Sequence, residues 1–345
     1  MTITQVFYDG IQRVKVAPAI LIGIFLATLI LALPQGLILR DMLRTHLGDS
    51  LAAEAVATGV NFNWWQEFSA QAKGLGATFS PTIIGFAAVL DNISDLLDNR
   101  SLTTAVAGIT VIYLAVWTFL LGGTLDRYAR NRPIRTAGFF AAAGIYFFRF
   151  LRLAIINLAI YAFMMGVVHS WLFDNLYEWW IRDLNEERTA FFLRTLLYVV
   201  FVSGLVICNI VLDYAKIRTV VEDRRSMVSA TLAGFRFVVR HARRVIGLYF
   251  LNSLVFIGIL ASYAIFAPSV GGVGGSMWWG FLISQAYILA RLWIKLVFLA
   301  SQTALFQAEL AHAGYTAAPL PIAPDSPAAE AIAGRPPPAN KMGKR

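Results

Sequence analysis

Charge and cysteine are what this sequence has least of. Only 14% of its 345 residues are charged, against about 25% in a typical soluble domain. A soluble chain that is 58% hydrophobic would expose large apolar patches, and a bilayer removes that problem. The single cysteine, Cys208, sits in an apolar run, so no intrachain disulfide and no cysteine metal site are available. Histidine is nearly as scarce. His46, His169, His241 and His312 lie far apart, none has a metal-ligand partner at usable spacing, and there is no HExxH. No metal, cofactor or catalytic set is therefore implied, and an enzyme is the least favoured class.

Acidic residues are fewer than basic ones, which leaves a net charge of +9. In a soluble protein this surplus would point to nucleic acid. Here the cations fall in loops between apolar runs, so no nucleic-acid partner is implied.

Long apolar runs are what the sequence has in abundance. Six reach the roughly 20 residues that a helix needs to cross a bilayer. They are Val16–Leu39, Leu102–Leu121, Leu153–Phe173, Phe191–Leu212, Val245–Ala267 and Met277–Ala300. The first is long for the apolar core of a signal peptide and reads as a retained anchor. The fold class expected is an all-α polytopic membrane bundle, a single transmembrane domain over residues 1–312. Residues 313–345 (Ala- and Pro-rich) read as a solvated cytoplasmic tail.

Loop charge sets the orientation. Alternate loops carry twenty Lys and Arg on one side and six on the other. The basic side is expected to be cytoplasmic, with both termini on it, in a membrane of bacterial inner-membrane type. Tryptophan agrees. Trp64, Trp65, Trp171, Trp179, Trp180, Trp278 and Trp279 fall on or beside the less basic side, as an outer aromatic belt requires. Core packing accounts for one or two of them at most.

Three further segments are amphipathic. In the long outer loop 40–101, Ile83, Ile84, Phe86, Ala87, Leu90, Ile93 and Leu97 recur at helical spacing, opposite Asp91, Asp95 and Asp98. On the basic side, Ala137–Phe148 and Met227–Val239 are too short to span. They end in Arg149 and Arg152, and in Arg240, Arg243 and Arg244 respectively. Such segments read as interfacial helices whose cations meet anionic lipid headgroups. The glycines at 271, 272, 274 and 275 read as a tight outer turn, with no strand–loop–helix context for a nucleotide.

The second and fourth spans end alike, in Leu125-Asp126-Arg127-Tyr128-Ala129-Arg130 and Leu212-Asp213-Tyr214-Ala215-Lys216. Each is followed by an amphipathic segment, a basic cluster and another span. This pattern suggests a parallel internal repeat, with an insertion of about two turns in one copy.

Residues Glu222–Leu251 (EDRRSMVSATLAGFRFVVRHARRVIGLYFL) resemble a cytoplasmic helix and following span of several uncharacterised bacterial membrane families. One of these is the membrane domain found beside some bacterial glycerophosphodiester phosphodiesterases. The resemblance implies a membrane module. The soluble phosphodiesterase domain and its acidic metal site are absent here, so no catalytic residue is carried over.

Charges inside a span are functional suspects. Arg194 lies near the outer end of its helix, where snorkelling explains it. Arg291 and Lys295 lie deeper and on one face of the last span. They are expected to form an intramembrane cluster with Asp126 and Asp213, acting as a packing clamp or an anion site. Asn157, Asn209 and Asn252 are expected to hydrogen-bond between helices. The function implied is a non-enzymatic module that binds lipid or a protein partner. The alternative is a small transporter or permease subunit that uses the cations of the last span.

Overall fold

A computed structural model describes residues 1–48, 50–80, 85–100, 104–267 and 275–312. Ile83, Ile84, Gly271, Gly272, Gly274 and the tail from residue 313 lie outside the described residues. Regular structure in the described residues is helical throughout, and six helices are long and apolar enough to cross a membrane. The chain is therefore an all-α, multi-pass membrane protein.

The first helix, α1 (Ile3–Lys15), lies ahead of the first apolar run and outside the spans and amphipathic segments expected from the sequence. It starts with a capping box, in which the Thr2 side chain accepts from the Gln5 amide and the Gln5 side chain accepts from the Thr2 amide. Val6, Gly10, Arg13 and Val14 form its buried stripe. Pro18 then opens α2 (Pro18–Leu47), a span whose one buried residue is Ile24. Proline fits there because the first helical amides lack partners anyway.

The long loop after α2 folds into α3 (Ala52–Thr58), α4 (Phe62–Gln71), a single turn at Gly76–Thr78 and α5 (Phe86–Leu97). His46, Trp64, Phe68 and Phe79 form a small aromatic core under this loop, with Trp64 stacked on Phe68 at 5.4 Å. Trp64 thus leaves the expected belt, whereas Trp171, Trp179, Trp278 and Trp279 are exposed as a belt requires.

The second span, α6 (Thr104–Arg130), turns at Asn131 (φ 47°) into α7 (Thr136–Phe163). Gly122 and Gly123 let the two helices touch. A Cβ on Gly123 would stand 2.7 Å from the Phe139 carbonyl. The interfacial segment and span expected here are one unbroken helix. It continues through π-helical turns at Met164–His169 and Trp171–Leu176 into α8 (Tyr177–Ile181).

The fourth span, α9 (Glu187–Val221), turns at Asp223 (φ 49°) into α10 (Met227–Arg240). Here the small residue of the contact is on the returning helix, with Gly234 against Val211 and Ala215. The chain then breaks at His241 before α11 (Ala242–Phe266). So both segments have a turn and a returning helix, but only after α9 is the returning helix separate from the span that follows.

The last helix, α12 (Gly275–His312), supplies much of the core. Leu296, Val297, Ala300, Ser301 and Phe306 are fully buried. Met1–Ala308 form one compact unit.

Candidate functional site

The basic end of the bundle is assembled by α1. Its Arg13, 8% exposed, pairs with Asp9 at 2.9 Å. Arg13 also donates to the Tyr128 carbonyl and to Gln307 Oε1, each at 2.8 Å, and Gln307 donates to the Ala129 carbonyl at 2.7 Å. A cation thus sits on the last carbonyls of α6, where the helix dipole is negative. Gly10 lies against Ser301 so closely that a Cβ would meet its backbone at 2.8 Å. Ser301 in turn accepts from Asn252 at 3.1 Å, the interhelical bond expected of that amide. These contacts bring residues 13, 128 and 307 to one end. Sequence reasoning missed Arg13, although Thr2-x-x-Gln5 and the spacing of Ile3, Val6, Gly10 and Val14 were there to be read.

The expected four-charge cluster is not assembled by direct pairing. Asp126 is buried and pairs with Arg130 at 2.8 Å, one turn on. Asp213 pairs with Lys216 at 2.8 Å. Among the described residues, Arg291 and Lys295 form no ion pair within 4.0 Å. Lys295 instead sits over the Trp117 ring of α6, with Nζ 3.5 Å from the centroid. The reason is reach: neighbours three or four apart on one helix face meet without any helix moving.

The basic clusters divide. Arg149 is not a free cation. It pairs with Asp223, donates to the Arg224 carbonyl at 3.4 Å and lies over the Tyr146 ring at 5.3 Å. It therefore ties α7 to the turn between α9 and α10. Arg152, Arg240, Arg243 and Arg244 are exposed.

On α10 the exposed residues separate into two stripes. Val228, Leu232, Phe235 and Val239 are 49–71% exposed. At 3.6 residues per turn they fall within about 60° of one another. Arg236 and Arg240, also exposed, lie roughly 80° round the helix from that apolar stripe. The opposite face, with Ala230, Gly234 and Phe237, is buried.

A second polar junction stands at the less basic end. Tyr198 donates to Asp98 at 2.8 Å, and Arg194 donates to Tyr198 at 3.1 Å and lies 3.7 Å from Asp98. Asn99 (φ 52°) donates to the Met165 carbonyl at 3.1 Å, and His169 Nε2 lies 2.8 Å from the Leu97 carbonyl. The π-helical turn offers the Met165 carbonyl because its bonding register is shifted. Arg194 is thus a partnered side chain that helps dock α5, beyond the snorkelling expected of it. The hydrogen bond from Tyr198, helped by Arg194 and Arg100, holds the Asp98 carboxyl below its ordinary range.

Together these features define a multi-pass helical membrane protein with a polar latch at each end. No family model, curated protein or solved structure matches the chain. Among the described residues, no three His, Cys, Asp or Glu side chains come together as a metal site.

Proposed function

We propose that this protein is a non-enzymatic module of a bacterial inner membrane that binds anionic lipid headgroups at its cytoplasmic face through α10 and the start of α11. The carrying observation is the pair of stripes on α10. An exposed apolar stripe beside exposed cations suits a helix lying in the interface, apolar side chains among acyl chains and guanidinium groups at phosphates. Arg243 and Arg244 extend the cationic row past the break at His241. The loop charge asymmetry supports a cytoplasmic placement of this end and of both termini. The resemblance of Glu222–Leu251 to bacterial membrane modules supports the same reading. A transporter would need the cations of α12 to line a path, whereas Lys295 is already seated on Trp117.

Each arginine near an anionic surface contributes about 1 kcal/mol. The double change Arg240→Gln, Arg243→Gln should therefore lower retained phosphatidylglycerol at least tenfold in native mass spectrometry. Phosphatidylcholine retention and detergent melting temperature should not move. Equal phosphatidylglycerol retention by the variant would refute the proposal.

A further inference from the structure

The deepest exposed charges of the molecule stand on α12. Arg291 and Lys295 are one turn apart, on one face, and both are accessible at the surface of the bundle. By helical rise, Arg291 is roughly 18 Å from Trp279 toward the outer end and roughly 24 Å from Gln307 at the basic end. That depth is the middle of the bilayer. Lys295 has the Trp117 face for company, and Tyr113, one turn before Trp117 on α6, lies within electrostatic range of Arg291. Aromatic faces attract a cation without neutralising it. Two positive charges therefore remain where charge is least tolerated.

Asp213 lies within electrostatic range of Lys295, but its carboxylate is taken by Lys216. The carboxylates on the six helices, Asp41, Asp126, Asp174, Glu178, Glu187, Asp213 and Glu309, all stand toward helix ends, and Asp126 and Asp213 are already paired with Arg130 and Lys216. A second copy of this chain thus has no free carboxylate to offer at that depth. A lipid phosphate stays near the interface, on the order of 15 Å from the midplane. We infer that Arg291 and Lys295 are a docking site for a transmembrane helix of a different protein, one carrying an Asp or Glu near the middle of its span. The helix lies along α12 beside the exposed edge of α6, and its carboxylate bridges the two cations.

The test uses the full chain reconstituted in phosphatidylcholine vesicles with a polyleucine helix. The peptide bears one central Glu, Gln or Leu and a neighbouring photo-crosslinking group. The Glu peptide should cross-link to α12 at least tenfold more than the Gln or Leu peptide. A lost buried pair costs several such factors, which makes tenfold a low bar. Arg291→Lys with Lys295→Arg should keep the effect, and Arg291→Met with Lys295→Met should abolish it. Equal yields for Glu and Gln peptides would overturn the inference, and that comparison leaves the protein unaltered. Loss of the Glu-specific yield when phosphatidylglycerol is added would assign the cations to lipid and overturn it equally. The headgroup reading of α10 is untouched by the Glu–Gln comparison, since those vesicles contain no anionic lipid, and by the phosphatidylglycerol arm, since the cross-link reports on α12 alone.

Discussion

At the scale of single residues, both ends of the bundle are held by a cation bound to backbone or to a neighbouring carboxylate. Arg13 is the more consequential. Replacing it with Met removes its bonds to Asp9, Tyr128 and Gln307 together. Leaving buried acceptors without donors costs about 1–3 kcal/mol each, so Arg13→Met should lower the detergent melting temperature clearly, while Arg132→Met, at an exposed position, should not. Equal melting temperatures would deny the clamp. Asp98 makes a prediction about pH. Its carboxyl is held below the ordinary value by Tyr198, so the ionised form stabilises the docked α5. A depressed carboxylate contributes stability above its unfolded pKa and loses it as pH falls through the folded value. Proteolysis of the loop that carries α5 should therefore rise as pH drops below about 4. Asp98→Asn should show the same loosening at neutral pH and lose the acid step. These partners were not legible in the sequence. Asp126 and Asp213 took the cation three or four residues on, which spacing does reveal, whereas Arg13 and Arg194 took partners far away in the sequence, which only the fold brings near.

At the scale of elements, the spans and the two basic-side amphipathic segments could be read from apolar length and period. What could not be read was whether a segment continues into its span. Neither the 148–153 stretch nor the 240–244 stretch contains Gly or Pro, yet the first is helical throughout and the second breaks at His241. Tertiary contact decides this. Arg149 fastens α7 to the neighbouring turn within an unbroken helix, whereas α10 folds back on α9 through Gly234 before the break at His241. Close approach also separates glycines that look alike in the sequence. Gly10 and Gly258 both sit inside helices. A methyl on Gly10 would drive into the Ser301 backbone, and nothing lies within 4 Å of one on Gly258. Gly10→Ala should destabilise by about 1–3 kcal/mol through forced overpacking. Gly258→Ala should be neutral or slightly stabilising in the same unfolding assay, because alanine costs less to order in a helix. Identical effects would mean that α1 is not seated where the Gly10 contact puts it.

At the scale of the whole molecule, the bundle has a centre and a periphery. The buried half of α12 meets α1 through Ser301 and Gln307, α11 through Ser301 and α6 through Gln307, while α2 buries little beyond Ile24. Contacts fix which segments share an end. Arg13, Tyr128 and Gln307 meet at one, and Leu97, Asn99, His169 and Tyr198 lie in the junction at the other. An even number of crossings between residues 13 and 307 follows from that geometry alone. Which end faces the cytoplasm rests on the basic surplus, and the single cysteine makes it testable. In a Cys208→Ala background, one new cysteine at a time replaces Arg132, in the α6–α7 turn, or Asp183, in the turn after α8. A maleimide that cannot cross membranes, added to intact spheroplasts, should label Asp183→Cys and spare Arg132→Cys until the cells are lysed. The reverse pattern would place the arginines of α10 outside and remove the headgroup reading, since the anionic cytoplasmic leaflet would then be out of their reach. Labelling of both before lysis would contradict the crossing between them. Thr136–Ile181 is long and apolar enough to cross the membrane between them, so these two positions are expected on opposite sides.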